Sequence, residues 1–229
     1  MYLRYMIFIC SIFILFLSIF KPIQSAAMAD KQMILKLVAE PNPKELEKVL
    51  ATNQTVEKLS LRNMGIKDDV AVAIARGLAK NTALESIDLY GNKIGDKGAE
   101  AFGEMLKTNR TLKVLNMWEN QIGNKGAIAI AKGLGLNAKL SRLSLMSNLV
   151  SNAGAESLGK ALGSNTTLKT LGLSSNQIGS EGVDALVEAL RNNQSLSKLY
   201  MLWNNLSDQS RDALIGVARE KSGFSLILD

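Results

Sequence analysis

The chain of 229 residues contains no histidine and only one cysteine, Cys10. The usual imidazole acid–base chemistry is therefore excluded, and so are thiolate nucleophiles and zinc sites beyond residue 10. The carboxylates that remain, such as Asp68 with Asp69, have the spacing of helix caps and solvated helix faces. We therefore predict a non-enzymatic protein with no catalytic residue, no metal site and no cofactor.

The sequence also lacks the motifs that bind phosphates or nucleic acids. The glycine-rich stretch GLGLN at 133–137 has neither the lysine nor the following Ser/Thr of a phosphate-binding loop. The net charge is +6, and removing residues 1–27 would take away Arg4 and Lys21 and leave +4. No run of five or six like charges and no aromatic-basic motif occurs. We predict neither a nucleic-acid partner nor a small-molecule substrate.

Residues 1–27 differ from the rest of the chain. A positively charged MYLR precedes the apolar run YMIFICSIFILFLSIF, and PIQSAA ends in small residues. This order predicts a secretory signal peptide cleaved near Ala27, and hence a secreted or extracytoplasmic protein. An uncleaved membrane anchor is one alternative, although the run is shorter than the roughly 20 residues that comfortably span a bilayer. Translation from Met28, which would give a cytoplasmic protein, is the other.

The remaining chain repeats every 28 residues. The letters NQIG occur at 120–123 and again at 176–179, and the asparagine belongs to a regular series at 92, 120, 148, 176 and 204. Six units begin at Val56, Leu84, Leu112, Leu140, Leu168 and Leu196, and a partial seventh begins at Phe224. The clearest units follow L-x-x-[LI]-x-L-x-x-N-x-I-G. This pattern resembles the leucine-rich repeat, and its length and helical second half resemble the ribonuclease-inhibitor-type subclass. The resemblance implies an α/β solenoid, curved, with parallel strands on its concave face and helices on its convex face.

The residues support the same fold independently. Ile87 and Leu89, two apart, predict a short strand, while Ala99, Phe102 and Leu106 recur at the spacing of a helix face. We predict a leucine-rich repeat domain over 56–229, with six units and a terminal strand. The segment 28–55, containing KELEKVLATN, is predicted to be a helical N-terminal cap.

Polar residues recur in the same register, and each series has a predicted role. Asn92 and its counterparts are predicted to pair with buried backbone groups between units. Helix N-caps are predicted at Asp68, Asp96, Asn124, Asn152, Ser180 and Asp208. Left-handed residues closing the helices are predicted at Asn81, Asn109, Asn137, Asn165 and Asn193. Close approach of helix and strand layers is predicted at Gly98, Gly126, Gly154 and Gly182.

N-x-S/T sequons occur at Asn53, Asn109, Asn165, Asn193 and Asn205. Glycosylation would follow only in a eukaryote that exports the chain.

Function is predicted to lie at the strand positions outside the core. All Tyr and Trp residues after residue 27 fall at these variable positions. Aromatic and arginine side chains dominate the energetic centres of protein interfaces. The predicted protein-binding residues are Arg62, Tyr90, Trp118, Glu119, Met146, Tyr200, Leu202 and Trp203. The alternative is that the rings belong to a repeat consensus that shields the strands.

The resemblance implies a recognition module whose partner is a protein. Leucine-rich repeats of this type occur in inhibitors, in activators of small GTPases and in sensor proteins, but the chain lacks the many cysteines of the inhibitor and the nucleotide-binding domain of the sensors. We predict an exported protein-binding solenoid. The alternatives are a regulator of an intracellular enzyme or small GTPase, if Met28 is the start, and a structural surface protein held by an uncleaved anchor.

Overall fold

The computed structural model describes residues 24–228, which begin with two helices and continue with alternating short strands and helices. The helices are α1 (24–39), α2 (Pro43–Thr52), α3 (Asp68–Lys80), α4 (Asp96–Thr108), α5 (Asn124–Leu136), α6 (Asn152–Ser164), α7 (Ser180–Asn192) and α8 (Asp208–Glu220). The strands are β1 (Lys58–Ser60), β2 (Ser86–Asp88), β3 (Val114–Asn116), β4 (Arg142–Ser144), β5 (Thr170–Gly172), β6 (Lys198–Tyr200) and β7 (Ser225–Ile227).

The predicted signal peptide or anchor lies almost wholly outside the described residues. Within 24–228, no helix combines the length and apolar character needed to cross a membrane.

The strands form one parallel sheet in chain order, from β1 to β7. Residues 28 apart are paired from β1 to β6, as Leu115 with Leu143, and β7 pairs with β6 at a spacing of 27, as Leu199 with Leu226. When a βα unit is repeated in one direction, each strand lies beside the strand of the preceding unit and each helix beside the helix of the preceding unit. The predicted α/β leucine-rich repeat solenoid is confirmed.

The core lies between the sheet and the helices. Leu143 and Leu145 of the strand segment and Leu158 and Leu162 of α6 are fully buried. This is the arrangement that the two apolar periods predict, because one face of a strand and one stripe of a helix meet.

Two glycines allow the helix backbones to touch. A Cβ atom on Gly103 would lie 2.4 Å from the carbonyl oxygen of Ala129, and one on Gly133 would lie 2.1 Å from the carbonyl oxygen of Gly103. Helices α4 and α5 therefore approach each other more closely than any side chain would permit. The series at Gly98 serves a related purpose, since a Cβ there would lie 2.9 Å from Cβ of Ala71 in α3. The nearest atom to that Cβ is Cγ2 of Ile94, at 2.7 Å, in the segment that joins β2 to α4. The close neighbours of Gly98 are thus this segment and the preceding helix, so the prediction of contact with the strand layer is wrong.

The recurring asparagine after each strand ties neighbouring units together. The Asn120 amide nitrogen donates to the carbonyl oxygens of Leu89 and Met117 at 3.0 and 3.1 Å, and its Oδ1 accepts from the Ile94 backbone N–H at 3.0 Å. Asn92, Asn148 and Asn176 repeat this pattern. The predicted structural role is confirmed, because the amide satisfies buried backbone groups of two units at once.

The helix-start residues cap the helix of the following unit. Asp96 is the first residue of α4, whose N-cap is Gly95. Its Oδ1 instead accepts from the backbone N–H groups of Gly123 and Gly126 at the start of α5, at 2.8 and 2.9 Å. Asp68 caps α4 in the same way, and Asn124 caps α6. The prediction that each residue caps its own helix is wrong for these three residues by one unit, and wrong for Asp208 because Ser207 caps α8.

The asparagines at the helix ends are extended rather than left-handed, so that prediction is also wrong. Asn109 has φ −66° and ψ 132°. Its buried amide nitrogen donates to the Leu78 and Asn81 carbonyl oxygens at 2.7 and 3.2 Å, and its Oδ1 accepts from Thr111 and Leu112 backbone N–H groups. The chain turns directly into the next strand, and the hydrogen bonds of the Asn109 amide stabilise that turn.

The buried asparagines also include most of the sequons. Asn53, Asn109, Asn165 and Asn193 are buried, and each donates two amide hydrogen bonds. Among the five sequons, only Asn205 is exposed.

Candidate protein-binding strand face

The exposed residues of the strands, with the turn that follows each strand, form one continuous surface, here called the strand face. In every unit the second turn residue has positive φ: Asn63 55°, Gly91 69°, Glu119 56°, Ser147 49°, Ser175 54° and Trp203 54°. Glycine and asparagine adopt this backbone easily, whereas a bulky side chain there costs roughly 1–2 kcal/mol. Glu119 and Trp203 therefore carry large side chains in a turn whose backbone favours glycine and asparagine.

Four of the predicted binding residues are in contact at the N-terminal half of the strand face. The Arg62 guanidinium carbon lies 4.5 Å from the centre of the Tyr90 ring, and the Tyr90 and Trp118 rings meet edge to face with centres 5.3 Å apart. The Trp118 indole N–H donates to Ser147 Oγ at 2.9 Å. The row Arg62, Tyr90 and Trp118, here called the aromatic row, thus runs across three neighbouring units. Trp118 keeps 41% of its surface exposed.

Glu119 completes this group through Tyr90. A hydrogen bond to the Glu119 carboxylate, together with its negative charge, raises the pKa of the Tyr90 hydroxyl, while Arg62 acts weakly in the opposite direction. Arg62 Nη1 also lies 3.6 Å from Asp88 Oδ2, and Asp88 Oδ1 accepts from the Asn116 side chain at 2.8 Å. The charges of this half are therefore largely paired with one another.

A shallow groove of about 520 Å³ crosses the strand face from β2 to β6. Trp118, Met146 and Tyr200 line it, together with Arg142 and Lys198. We call it the strand-face groove. Its lining mixes aromatic, apolar and polar side chains and includes these two cations and, at the β2 end, the carboxylate of Asp88.

The last two predicted residues lie apart from the groove. Leu202 is half-buried in the turn after β6, and Trp203 beside it is 70% exposed. Neither is among the groove-lining residues. The structure therefore brings Arg62, Tyr90, Trp118 and Glu119 into one group of contacts. Met146 and Tyr200 line the same groove as Trp118. Leu202 and Trp203 lie outside both, at the C-terminal end of the strand face.

Sequence reasoning missed the polar residues of the groove. Arg142 and Lys198 occupy the first position of their strands, and Lys198 Nζ lies 5.9 Å from the centre of the Tyr200 ring. The hydroxyls of Ser144 and Ser174 are buried and make no hydrogen bond to the described part of the chain. Cations recurring at one repeat position, as at Lys58, were a signal that could have found Arg142 and Lys198.

No cluster of three or more Asp, Glu, His or Cys residues within 24–228 is arranged to hold a metal ion.

Comparison with known proteins identifies the repeat. Residues 80–103, 108–131 and 164–187 match the family model described as Leucine Rich repeat. Each match begins at the end of one helix and runs through a strand into the next helix. No curated protein sequence matches the chain.

Two solved structures are similar to the chain. Leiomodin-1 actin-binding site 2 is 20% identical, with a TM-score of 0.48, over 81% of this chain and 85% of that one. An internalin from Listeria monocytogenes is 21% identical, with a TM-score of 0.47, over 78% of this chain and 49% of the internalin.

Parallel strands stacked in chain order and backed by helices define the class as a repeat solenoid. Three segments in the register of that stack match the family model and are leucine-rich repeats. Such repeats generally mediate protein–protein binding and are typically not enzymes. The ribonuclease-inhibitor-type subclass stays a prediction, which the 28-residue period fits.

Proposed function

We propose that this protein is a non-enzymatic binding solenoid that recognises a protein partner through its strand face. The observation that carries the proposal is the aromatic row with its exposed Trp118, continued at the far end by the more exposed Trp203. Large exposed rings add nothing to the core of a solenoid, yet tryptophan and tyrosine anchors supply most of the energy of protein interfaces.

The turn geometry supports the same proposal. Trp203 sits on a left-handed backbone that a smaller residue such as glycine would adopt without strain. A large, exposed and strained side chain is more easily explained by an interaction than by packing. Selection for stability alone would favour glycine or asparagine there, as at Gly91 and Asn63.

The test begins with capture of partners on the immobilised full chain and continues with calorimetry of each captured protein. Trp118→Ala and Trp203→Ala should each weaken binding by more than roughly 1–2 kcal/mol, because buried aromatic anchors carry the interface energy. The matched controls Lys160→Ala and Glu188→Ala lie on helices α6 and α7 and should bind nearly as the parent does. Circular dichroism should show that all four variants are folded. A partner that depends on the helix pair and tolerates both tryptophan changes would place binding on the other side of the solenoid.

We further propose that the protein acts outside the cytoplasm, on the strength of the charged, apolar and small-residue segments that succeed one another in residues 1–27. The alternatives are an intracellular regulator of an enzyme or small GTPase that starts at Met28, and a membrane-anchored surface protein. Mass spectrometry of the native N-terminus distinguishes them. A chain in the medium beginning near Met28 supports export, Met28 inside the cell supports the regulator, and Met1 in the membrane supports the anchor.

A further inference from the structure

The two halves of the strand face differ in how their charges are paired. In the N-terminal half, Arg62 faces Asp88 at 3.6 Å, and the Lys113 ammonium group lies 2.6 Å from the Glu85 carboxylate. Arg62 and Lys113 thus each have an acidic partner on an adjacent unit, whereas Lys58 at the start of β1 forms no ion pair within the described residues. Most of the positive charge of this half is therefore neutralised from within the protein.

The C-terminal half has cations but no acidic residue on its strands. Between residues 140 and 203 the acidic residues are Glu156, Glu181, Asp184 and Glu188, and all lie on α6 or α7. Neither Arg142 nor Lys198 forms an ion pair with any residue in 24–228. Both line the strand-face groove. The groove therefore presents two unpaired cations from β4 to β6, while the one carboxylate in its lining, Asp88 at the β2 end, is paired with Arg62.

The register fixes the spacing of these cations. Arg142 pairs with Thr170, and Thr170 pairs with Lys198, so the two cations stand two strands apart. Strands in a sheet are about 4.8 Å apart, which puts their backbones about 10 Å from each other. A polyproline II segment rises about 3.1 Å per residue with three residues per turn, so side chains three apart share one face at about 9 Å. Carboxylates three residues apart would match Arg142 and Lys198.

Thr170 lies between the two cations, and the floor beside it, toward the carboxyl ends of the strands, is low. Gly172 is the only glycine at its strand position, and a Cβ there would lie 2.8 Å from Met146 Cε. The flexible Met146 thioether therefore lies across the backbone of β5, beside the Tyr200 ring in the same groove. The buried Ser144 hydroxyl, unbonded within the described chain, lies under this floor, 3.4 Å from the same Cβ position. Methionine and aromatic surfaces of this kind accept apolar side chains of varied shape.

We propose that the strand-face groove binds an extended acidic segment of a protein, with two carboxylates three residues apart on Arg142 and Lys198 and an apolar residue between them on Met146. This inference rests on the proposed function and names the chemistry of its partner. Opposite charge at the rim would guide association, and the apolar floor would hold the segment in place.

The experiment is selection of a display library of random dodecapeptides on the immobilised full chain, followed by fluorescence polarisation with the enriched peptides. Enriched peptides should carry two Asp or Glu residues three apart around an apolar residue. The variant R142E/K198E should bind them about tenfold more weakly, as expected for two partly exposed ion pairs worth together about 1.4 kcal/mol. The matched control K132E/K160E makes the same charge change on helices α5 and α6 and should bind as the parent does.

Four results would overturn the inference. They are no enriched peptide, enriched peptides without acidic residues, equal losses in the two double variants, and a single-stranded oligonucleotide that competes as well as a peptide of equal charge. A separate measurement tests the proposed function. A captured partner that needs Trp118 and Trp203 but tolerates R142E/K198E would keep the binding solenoid and reject only the acidic segment.

Discussion

Removal of the Asp96 side chain tests the central feature of the stack, which is capping from one unit to the next. Asp96→Ala deletes an acceptor at 2.8 and 2.9 Å from the Gly123 and Gly126 N–H groups. Loss of a capping side chain costs about 0.5–2 kcal/mol, and these bonds are charge-assisted and partly buried. We expect a loss near the upper end, about 2 kcal/mol in the free energy of unfolding.

Asp96→Asn is the control that separates hydrogen bonding from charge. Asparagine keeps the Oδ1 acceptor, as Asn124 does one unit later, where it accepts from Ser151 and Gly154. It removes only the negative charge, which is favourable at the starts of both α4 and α5 and is worth about 0.3–1 kcal/mol. The amide variant should therefore lie much closer to the parent than the alanine variant in urea denaturation.

Native-state hydrogen exchange locates the effect. In Asp96→Ala the amides of Gly123 and Gly126 should exchange faster, although they lie at the start of α5 and not of α4. The amides of Gly95 and Gly98 should keep their protection, because Asp68 still holds them. Faster exchange at Gly95 and Gly98 with no change in α5 would refute capping between units and restore capping of the residue's own helix.

Four other outcomes are expected. Asn120→Ala should lower the free energy of unfolding, measured in urea, by about 3 kcal/mol, because it leaves several buried backbone groups without a hydrogen-bond partner. Leu143→Ala should cost about 2–5 kcal/mol by the same measurement, and a melting temperature equal to the parent's would contradict its core position. Trp203→Gly should raise the stability by up to about 1 kcal/mol by relieving the left-handed backbone while weakening partner binding, whereas a large loss of stability would show a packing role. Glu119→Gln should lower the pKa of Tyr90 in an ultraviolet titration, because the carboxylate favours the neutral phenol. That contact stabilises the fold below the ordinary tyrosine pKa of about 10 and is lost as pH rises through the raised value; an unchanged titration would exclude it.

The repeat register made the fold predictable. Leu115 and Leu143 stand 28 apart, and a stack with that period can only place them side by side on neighbouring strands. Local spacing fixed the strand and helix segments because burial of one face imposes periods of 2 and 3.6. The contact between Tyr90 and Trp118 could be predicted for the same reason, because the two residues hold equivalent positions in adjacent units.

The partners of the polar residues were not predictable from residue type. Asp96 and Asn109 have the chemistry of an N-cap and of a helix-closing residue, but their hydrogen bonds lead into neighbouring units. A single sequence shows that an acceptor is present and not which free N–H group it faces. The left-handed turn could not be predicted from residue type, because the stack imposes it on residues as different as Glu119 and Trp203.

Capping between units also makes the joints of the array interchangeable. Excision of residues 112–139 would bring Asp96 to the Ser151 and Gly154 amides that Asn124 now holds, and Asn148 to the Ile94 amide that Asn120 now holds. At each new contact between units, a side-chain oxygen would accept from the same backbone N–H groups as before. The array can therefore gain or lose whole units by duplication or deletion, and each such event changes the order of side chains on the strand face without any redesign of the stack.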